Sequence, residues 1–539
     1  MTIMEPVHGT TPAARTLTLG RLTEVGAAEA QAMLDAPALA MVRDALVPPG
    51  SVGSYLKLRV GSRWVVAQVR SLRLERLDSD AILAAVDFVG EGDADGDRLS
   101  GFRRGVTRLP LPGNTIVPVA DDELAAMFAA DERPHITVGT VHPSTDIRAA
   151  LYVDPLLSRH FAVLGSTGCG KSSSTALLLH RICDKAPDGH VVMIDPHGEY
   201  GAAFGDTGAL FDVSNLALPY WLLNLDEHAE IFVTATGGEA QVDRDILAKC
   251  LLAARAKNRA AEGLTRLTPD APVPYLLSDL LSILTQEMCK LDKGGMGAAP
   301  YLRLKSRIEE VRADPRFAFM FSGMLVADSM GDTLDRLFRL SRTGKPISII
   351  DLSGVPSEVT AVVVALLARL IFDHALWSRR DKGRPVLLVC EEAHRYVPQT
   401  GRSPARPVLE RIAKEGRKYG VALGLITQRP SDLAEGVLSQ CGTIISMRLN
   451  NDRDQAFVRA AVPEGAGGLI DAIPALRNRE AIIVGEGVSI PIRIGFDTLE
   501  EERRPASGDP SFAEVWAEAA GDHRPSLDRT VKRWRAQGR

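Results

Sequence analysis

Cysteine is scarce. Six occur in 539 residues, at positions 169, 183, 250, 289, 390 and 441, and no two form a C-x-x-C pair. This excludes a disulfide scaffold and the common structural zinc spacings, and it fits a reducing compartment. The opening residues, Met1-Thr2-Ile3-Met4-Glu5-Pro6, lack a basic segment followed by an apolar run, so no signal peptide is expected. Long uncharged apolar stretches are missing as well. The most membrane-like segment, 359–377, carries Arg369 and Asp373 and reads as a buried helix rather than a span. A surplus of positive charge is also lacking: 63 Lys+Arg against 68 Asp+Glu leaves a formal −5. That excludes a simple nucleic-acid coat protein and leaves room for a local basic channel. Internal repeats and low-complexity blocks do not occur. The expectation is a soluble, cytoplasmic protein that makes no use of a membrane.

What is present is an ordinary globular composition, 45% apolar and 24% charged, on a chain long enough for two or three domains. Residues 1–15 are small and polar and read as a flexible tail. Over 16–130 short alternating runs are broken by glycine and proline. Tyr55-Leu56-Lys57-Leu58-Arg59-Val60, Gly61-Ser62 and Trp64-Val65-Val66-Ala67-Gln68-Val69 spell a hairpin, and the whole stretch suits a small β-barrel or sandwich. From 131 to 498 the texture becomes strands alternating with helices, with strand candidates at 160–164, 190–195, 347–351, 385–390, 421–427 and 442–447. This is the βαβ pattern of an α/β fold with a mostly parallel sheet. A helical insertion interrupts it at about 225–345, and 499–539 is a charged C-terminal extension with short helical pieces.

The strongest chemical signal is the run Phe161-Ala162-Val163-Leu164-Gly165-Ser166-Thr167-Gly168-Cys169-Gly170-Lys171-Ser172, an apolar strand feeding a complete G-x-x-x-x-G-K-S loop, followed by a helix that starts at Ser173. The glycines let the backbone curl so that successive N–H groups face an anion, and the helix N-terminus adds its positive end. Gly165, Thr167, Gly168, Cys169, Gly170, Lys171, Ser172 and Ser173 are therefore assigned to a nucleoside triphosphate. Lys171 reaches its phosphates and the Ser172 hydroxyl binds Mg²⁺. A chance glycine-rich turn would not carry both the strand and the helix.

The apolar strand Val386-Leu387-Leu388-Val389-Cys390 ends in Glu391-Glu392. Phosphoryl transfer to water needs a carboxylate near the metal and a second group that orients the water. Glu391 suits the first task and Glu392 the second. Two acids opening a helix would be the plainer account, and it loses ground downstream of a phosphate loop. Gln428 ends the strand 421–427, where the ligand crevice of a parallel sheet lies, and is a candidate γ-phosphate sensor. A helix is expected over 404–419, stopped by Gly420, with Arg417 and Lys418 in its last turn. Those cations complement the helix dipole, or Arg417 serves as an arginine finger toward a neighbouring subunit, with Arg429 and Arg448 as competitors. Arg402 and Arg406, among Gly, Ser and Pro, are candidates for contact with a phosphate backbone. His197 and His394 alone do not make a metal site.

Taken together, the loop at 165–172, Asp195-Pro196-His197-Gly198-Glu199-Tyr200, Ile349-Ile350-Asp351-Leu352-Ser353-Gly354-Val355-Pro356, Glu391-Glu392-Ala393-His394, Gly416-Arg417-Lys418-Tyr419-Gly420-Val421 and Thr427-Gln428 resemble the HerA family of hexameric ATPases, within the HerA-FtsK superfamily. The resemblance implies an N-terminal β-barrel and a RecA-like P-loop NTPase core. It implies ATP and Mg²⁺ as ligands, a homo-hexameric ring, translocation on double-stranded DNA, and a nuclease or NAD-hydrolase effector as partner, in DNA repair or antiviral defence. It also implies Glu392 as the base, Gln428 as the sensor and Arg417 as the finger in trans. A glutamate at 391 departs from the commoner pattern. The rival function is a nucleotide-gated ring scaffold that activates its effector with little movement along DNA. A conjugation or secretion motor is disfavoured by the missing membrane segment, and an ABC-type ATPase by the missing Leu-Ser-Gly-Gly-Gln.

Overall fold

A computed structural model describes residues 17–42, 48–75, 81–142, 144, 146–291, 297–322, 327–341, 344–381, 383–462, 467–506, 512–517 and 524–536. The expected tail at 1–15 lies outside the described residues, as do parts of the C-terminal extension. The chain forms two compact units, one of residues 1–185 with 424–499, the other of 186–423 with 500–539.

The first unit begins with a barrel. Its strands run in the order Glu29–Asp35, Gly20–Val25, Thr115–Pro118, Tyr55–Val60, Arg63–Leu74 and Ala81–Asp95, and the last pairs back onto Glu29–Asp35 to close the wall. The 15-residue strand Ala81–Asp95 does two jobs: its first half closes the barrel, and its second half pairs with Arg98–Arg104. The sequence alternates as a closed barrel requires. In Glu29–Asp35 the residues Ala30, Ala32 and Leu34 point inward while their neighbours are exposed. They meet Leu19, Leu22, Leu56, Leu58, Val69, Val86 and Ile116 in one core. The expected hairpin is present, with Val60 opposite Arg63 and Gly61 turned to φ 62°.

One charge pair is buried completely at this barrel. Lys57 Nζ lies 2.6 Å from Glu123 Oε1, both side chains at 0% exposure, and also donates to the Asp97 carbonyl at 2.6 Å. Glu123, in the helix Asp121–Phe128, accepts further bonds from the Leu99 and Ala120 N–H groups at 2.7 and 2.8 Å. Removing one partner strands the other charge without water. Lys57→Met is expected to cost about 3 kcal/mol, read as a lower denaturation midpoint of the full chain.

The same unit carries the strand Phe161–Leu164, flanked on both sides by parallel neighbours. Its residues pair with Gly424 to Thr427 on one side and with Thr443–Ser446 on the other. Beyond Thr443–Ser446 the sheet turns antiparallel through Glu480–Gly485, Ile492–Phe496, His135–Val141 and Arg148–Tyr152. The six expected strands do not include these four. The helix Lys171–Lys185 follows Phe161–Leu164 and buries Leu177, Leu178, Leu179 and Ile182.

The second unit holds four parallel strands in the order Gly208–Phe211, Ile347–Asp351, Val191–Asp195 and Val386–Cys390. All five residues of Val191–Asp195 and of Val386–Cys390 are buried, as continuous apolar runs in a covered sheet should be. The apolar helix Ser357–Trp377 is long enough to cross a membrane, yet most of it is buried within this unit. The insertion is helical, with Leu225–Phe232, Gly238–Arg255, Leu277–Leu291, Ala299–Ala313 and Met330–Phe338. It is tied to the apolar helix by Arg369, whose guanidinium meets both carboxylate oxygens of Glu227 at 2.8 Å. The α/β fold class with an N-terminal barrel and helical insertion is borne out; four antiparallel-paired strands are added to the parallel ones.

Candidate functional site

In the first unit the loop 165–172 leaves the buried strand end at Leu164 and enters the helix at Lys171. The first helical bond runs from the Ser174 N–H to the Gly170 carbonyl at 2.9 Å. The N–H groups of Lys171, Ser172 and Ser173 therefore find no carbonyl inside the helix, the arrangement by which a helix N-terminus receives an anion. Gly168 and Gly170 sit at φ 77° and 91°, a left-handed backbone that turns successive N–H groups to one side. A Cβ on Gly168 would meet open space, whereas one on Gly165 would fall 2.7 Å from Cys169 Sγ. This cradle fits a triphosphate. Cys169 is fully buried, and burial pushes its thiol above the ordinary value, so it packs as a small apolar residue. Lys171 is buried to 8% exposure.

Gln428 joins this loop: its Oε1 accepts from the Thr167 hydroxyl at 2.5 Å. Two contacts were not foreseen from the sequence. The Arg448 carbonyl accepts from the Ser166 N–H at 2.9 Å, and the Ser166 hydroxyl accepts from the Asn450 N–H at 3.2 Å. The segment after Thr443–Ser446 thus holds the loop open from one side. The Arg448 guanidinium turns toward the Leu476 carbonyl at 3.4 Å. Arg429 is exposed, 3.8 Å from Asp432.

In the second unit three strand ends converge. Asp195 accepts from the N–H groups of His197, Gly198 and Tyr200 at 3.2, 2.9 and 2.9 Å, which folds Asp195-Pro196-His197-Gly198-Glu199-Tyr200 into a tight turn. Burial raises the Asp195 carboxyl above its ordinary range, against the pull of those N–H donors. Gly198, at φ 71°, lies so close to Asp351 that a Cβ there would meet its carboxylate at 3.0 Å. Glu391 keeps the ladder going through its N–H, bonded to the Ile194 carbonyl at 3.1 Å, and its Oε2 accepts from the Tyr200 hydroxyl at 3.1 Å. Glu392 breaks the strand with a left-handed backbone, φ 51°, rare for a residue with a Cβ. Strain of this kind concentrates at working sites. Its carboxylate lies 3.2 Å from His394 Nδ1. The structure therefore gathers Asp195, Tyr200, Asp351, Glu391, Glu392 and His394 at one end of the second unit's sheet. His197 is exposed. Among the described residues no three His, Cys, Asp or Glu side chains form a metal cluster.

The expected helix 404–419 is found as Arg406–Glu415, tightening to a 3₁₀ turn at Gly416–Tyr419 that Gly420 ends at φ 78°. The turn packs so closely that glycine is needed at 416, where a Cβ would stand 2.6 Å from the Val421 carbonyl. Arg417 is exposed on this turn. The Arg402 side chain is 96% exposed, 3.9 Å from Glu230, whereas Arg406 is held by Glu410 at 2.8 Å and by the Pro398 carbonyl at 2.9 Å.

Comparison with known proteins agrees with these elements. Residues 136–371 match the central domain of helicase HerA. The chain is 29% identical over 461 residues to the DNA double-strand break repair helicase HerA of Pyrococcus furiosus, covering 80% of each. Its similarity is to the HerA family. A probable HerA from Methanocaldococcus jannaschii is 27% identical over 83% of this chain and 92% of its own length, and the HerA of Sulfolobus acidocaldarius is 27% identical over 76% and 78%. Among solved structures, VirB4 of Thermoanaerobacter pseudethanolicus aligns with a TM-score of 0.49 at 16% identity, over 70% of this chain and 99% of that one. The plasmid coupling protein TrwB in complex with a non-hydrolysable ATP analogue aligns at 0.47 and 14% identity, over 73% and 94%. The HerA resemblance read from the motifs is borne out, and with it the assignment as a P-loop ATPase.

Proposed function

We propose that this chain is an ATP-hydrolysing motor of HerA type that works as a ring of six copies on double-stranded DNA. A nuclease or NAD-hydrolase effector is its partner, in DNA-end processing or antiviral defence. The observation that carries the reading is the complete phosphate cradle, built around Gly168, Gly170 and Lys171 in a chain of HerA type. In this reading Lys171 and Ser172 hold the triphosphate and its Mg²⁺, with Glu391 on the metal side. When bound, the ion neutralises charge that develops on the phosphates. Glu392 takes the proton of the attacking water, Gln428 senses the γ-phosphate through its place beside Thr167, and Arg417 serves a neighbouring copy. The exposure of Arg417 suits a group that acts outside its own chain.

A ring also accounts for the charge balance. One exposed cation such as Arg402, repeated six times around an axis, makes a concentrated positive channel in a chain of net charge −5. Duplex DNA is expected to stimulate hydrolysis, and DNA affinity to fall roughly 10³-fold between low and physiological salt. A displacement assay on roadblocked duplex tests the motor directly. Blocks that stay in place while ATP is consumed would replace the motor with the scaffold reading.

A further inference from the structure

Arg479 stands beside the phosphate loop although the sequence gives no sign of it. It precedes the strand Glu480–Gly485, and its backbone is left-handed at φ 64°. Its N–H donates to the Cys169 carbonyl at 2.9 Å, and its carbonyl accepts from the Phe496 N–H at 2.8 Å. Both tasks belong to the backbone, and glycine would perform them without the cost of a positive φ. The side chain therefore needs its own explanation. Its Cγ covers Gly170 so closely that a Cβ added there would lie 3.0 Å away. Its guanidinium then reaches the Thr498 hydroxyl, a neutral partner. Nearby arginines are neutralised: Arg148 and Arg181 by Asp497, and Arg493 by Glu480. Among the described residues no carboxylate pairs with Arg479, and it is exposed.

An unneutralised cation at the rim of an anion cradle points to a ligand. We propose that Arg479 is a second nucleotide-binding cation, supplied by the same chain as the loop, which contacts the α-phosphate and sugar end of the nucleotide. The direction follows from the loop itself. Gln428 meets Thr167 near the start of the loop, where the γ-phosphate is sensed in the proposed function. Arg479 meets Gly170 at its far end. The inference rests on the ATP-binding reading and adds one residue to it.

The test measures binding of N-methylanthraniloyl-ADP and N-methylanthraniloyl-ATP to the full chain by fluorescence, alongside thermal melting without nucleotide. Arg479→Gly keeps the backbone geometry and removes the cation. It is expected to weaken both nucleotides about tenfold, as loss of one charge-assisted hydrogen bond does, with a melting temperature equal to or above that of the parent. Arg479→Lys, which restores a charge, recovers part of the loss. Equal affinity of the glycine variant and the parent, within twofold, overturns the proposal and leaves ATP binding intact. A loss confined to the ATP analogue overturns the placement at the α-phosphate end. If the parent chain binds neither nucleotide, the ATP reading fails first. Should the glycine variant melt early, Arg479→Gln, which keeps the Cβ and Cγ over Gly170 and the cost of the positive φ, gives the same comparison.

Discussion

With Lys171 replaced by alanine, ATP hydrolysis is expected to fall roughly 10³-fold while the chain stays folded. The two halves of that expectation have separate physical grounds. Alanine is the best helix former, and position 171 is the first residue of a 15-residue helix, so the helix loses nothing at its start. What disappears is a buried ammonium at 8% exposure, in surroundings where a charge acts more strongly than it would in water. Bound phosphate would then rely on N–H donors alone. Phosphate release measured at saturating ATP, with a melting curve of the same preparation, checks both halves. A rate within tenfold of the parent would remove Lys171 from the phosphates.

Glu392→Gln should separate binding from hydrolysis. The substitution keeps the shape of the side chain and the left-handed backbone at φ 51°, and only the capacity to accept a proton is lost. Hydrolysis is expected to drop by about 10²- to 10⁴-fold, the range for loss of a positioned general base, while nucleotide affinity changes less than threefold. Single-turnover hydrolysis and equilibrium binding on one sample distinguish this from simple loss of the site. Equal losses in both would mean that the carboxylate shapes the turn around His394, 3.2 Å away, rather than the chemistry.

The sequence was most legible where local chemistry leaves few choices. Expected strands at 160–164, 190–195 and 385–390 appear as Phe161–Leu164, Val191–Asp195 and Val386–Cys390, because buried parallel strands are short apolar runs with sharp polar ends. The loop glycines were legible for the same reason: positive φ at 168 and 170 all but requires them. Contacts that join distant parts of the chain were not. Nothing near Tyr200 announces that its hydroxyl reaches Glu391, and Arg479 lies far along the chain from the glycine it covers. The choice between barrel and sandwich depended on whether Glu29–Asp35 would pair with the first half of Ala81–Asp95. That pairing is a property of closure and leaves no mark in either strand's own alternation. Two antiparallel strands of the first unit, His135–Val141 and Ile492–Phe496, escaped notice because half-buried alternation is weaker than a continuous apolar run, whereas Glu480–Gly485 is such a run and was missed all the same.

The closed wall of the barrel limits how another chain can pair with it. A sheet whose strands all have partners on both sides offers no row of bare amides and carbonyls to a second sheet. Among the described residues of the barrel Arg98–Arg104 has a strand partner on one side alone, and it carries the charges of Arg98, Arg103 and Arg104. A partner that touches the closed wall must therefore grip it by side chains. Such a grip has no fixed register and can slide or let go without unzipping a strand.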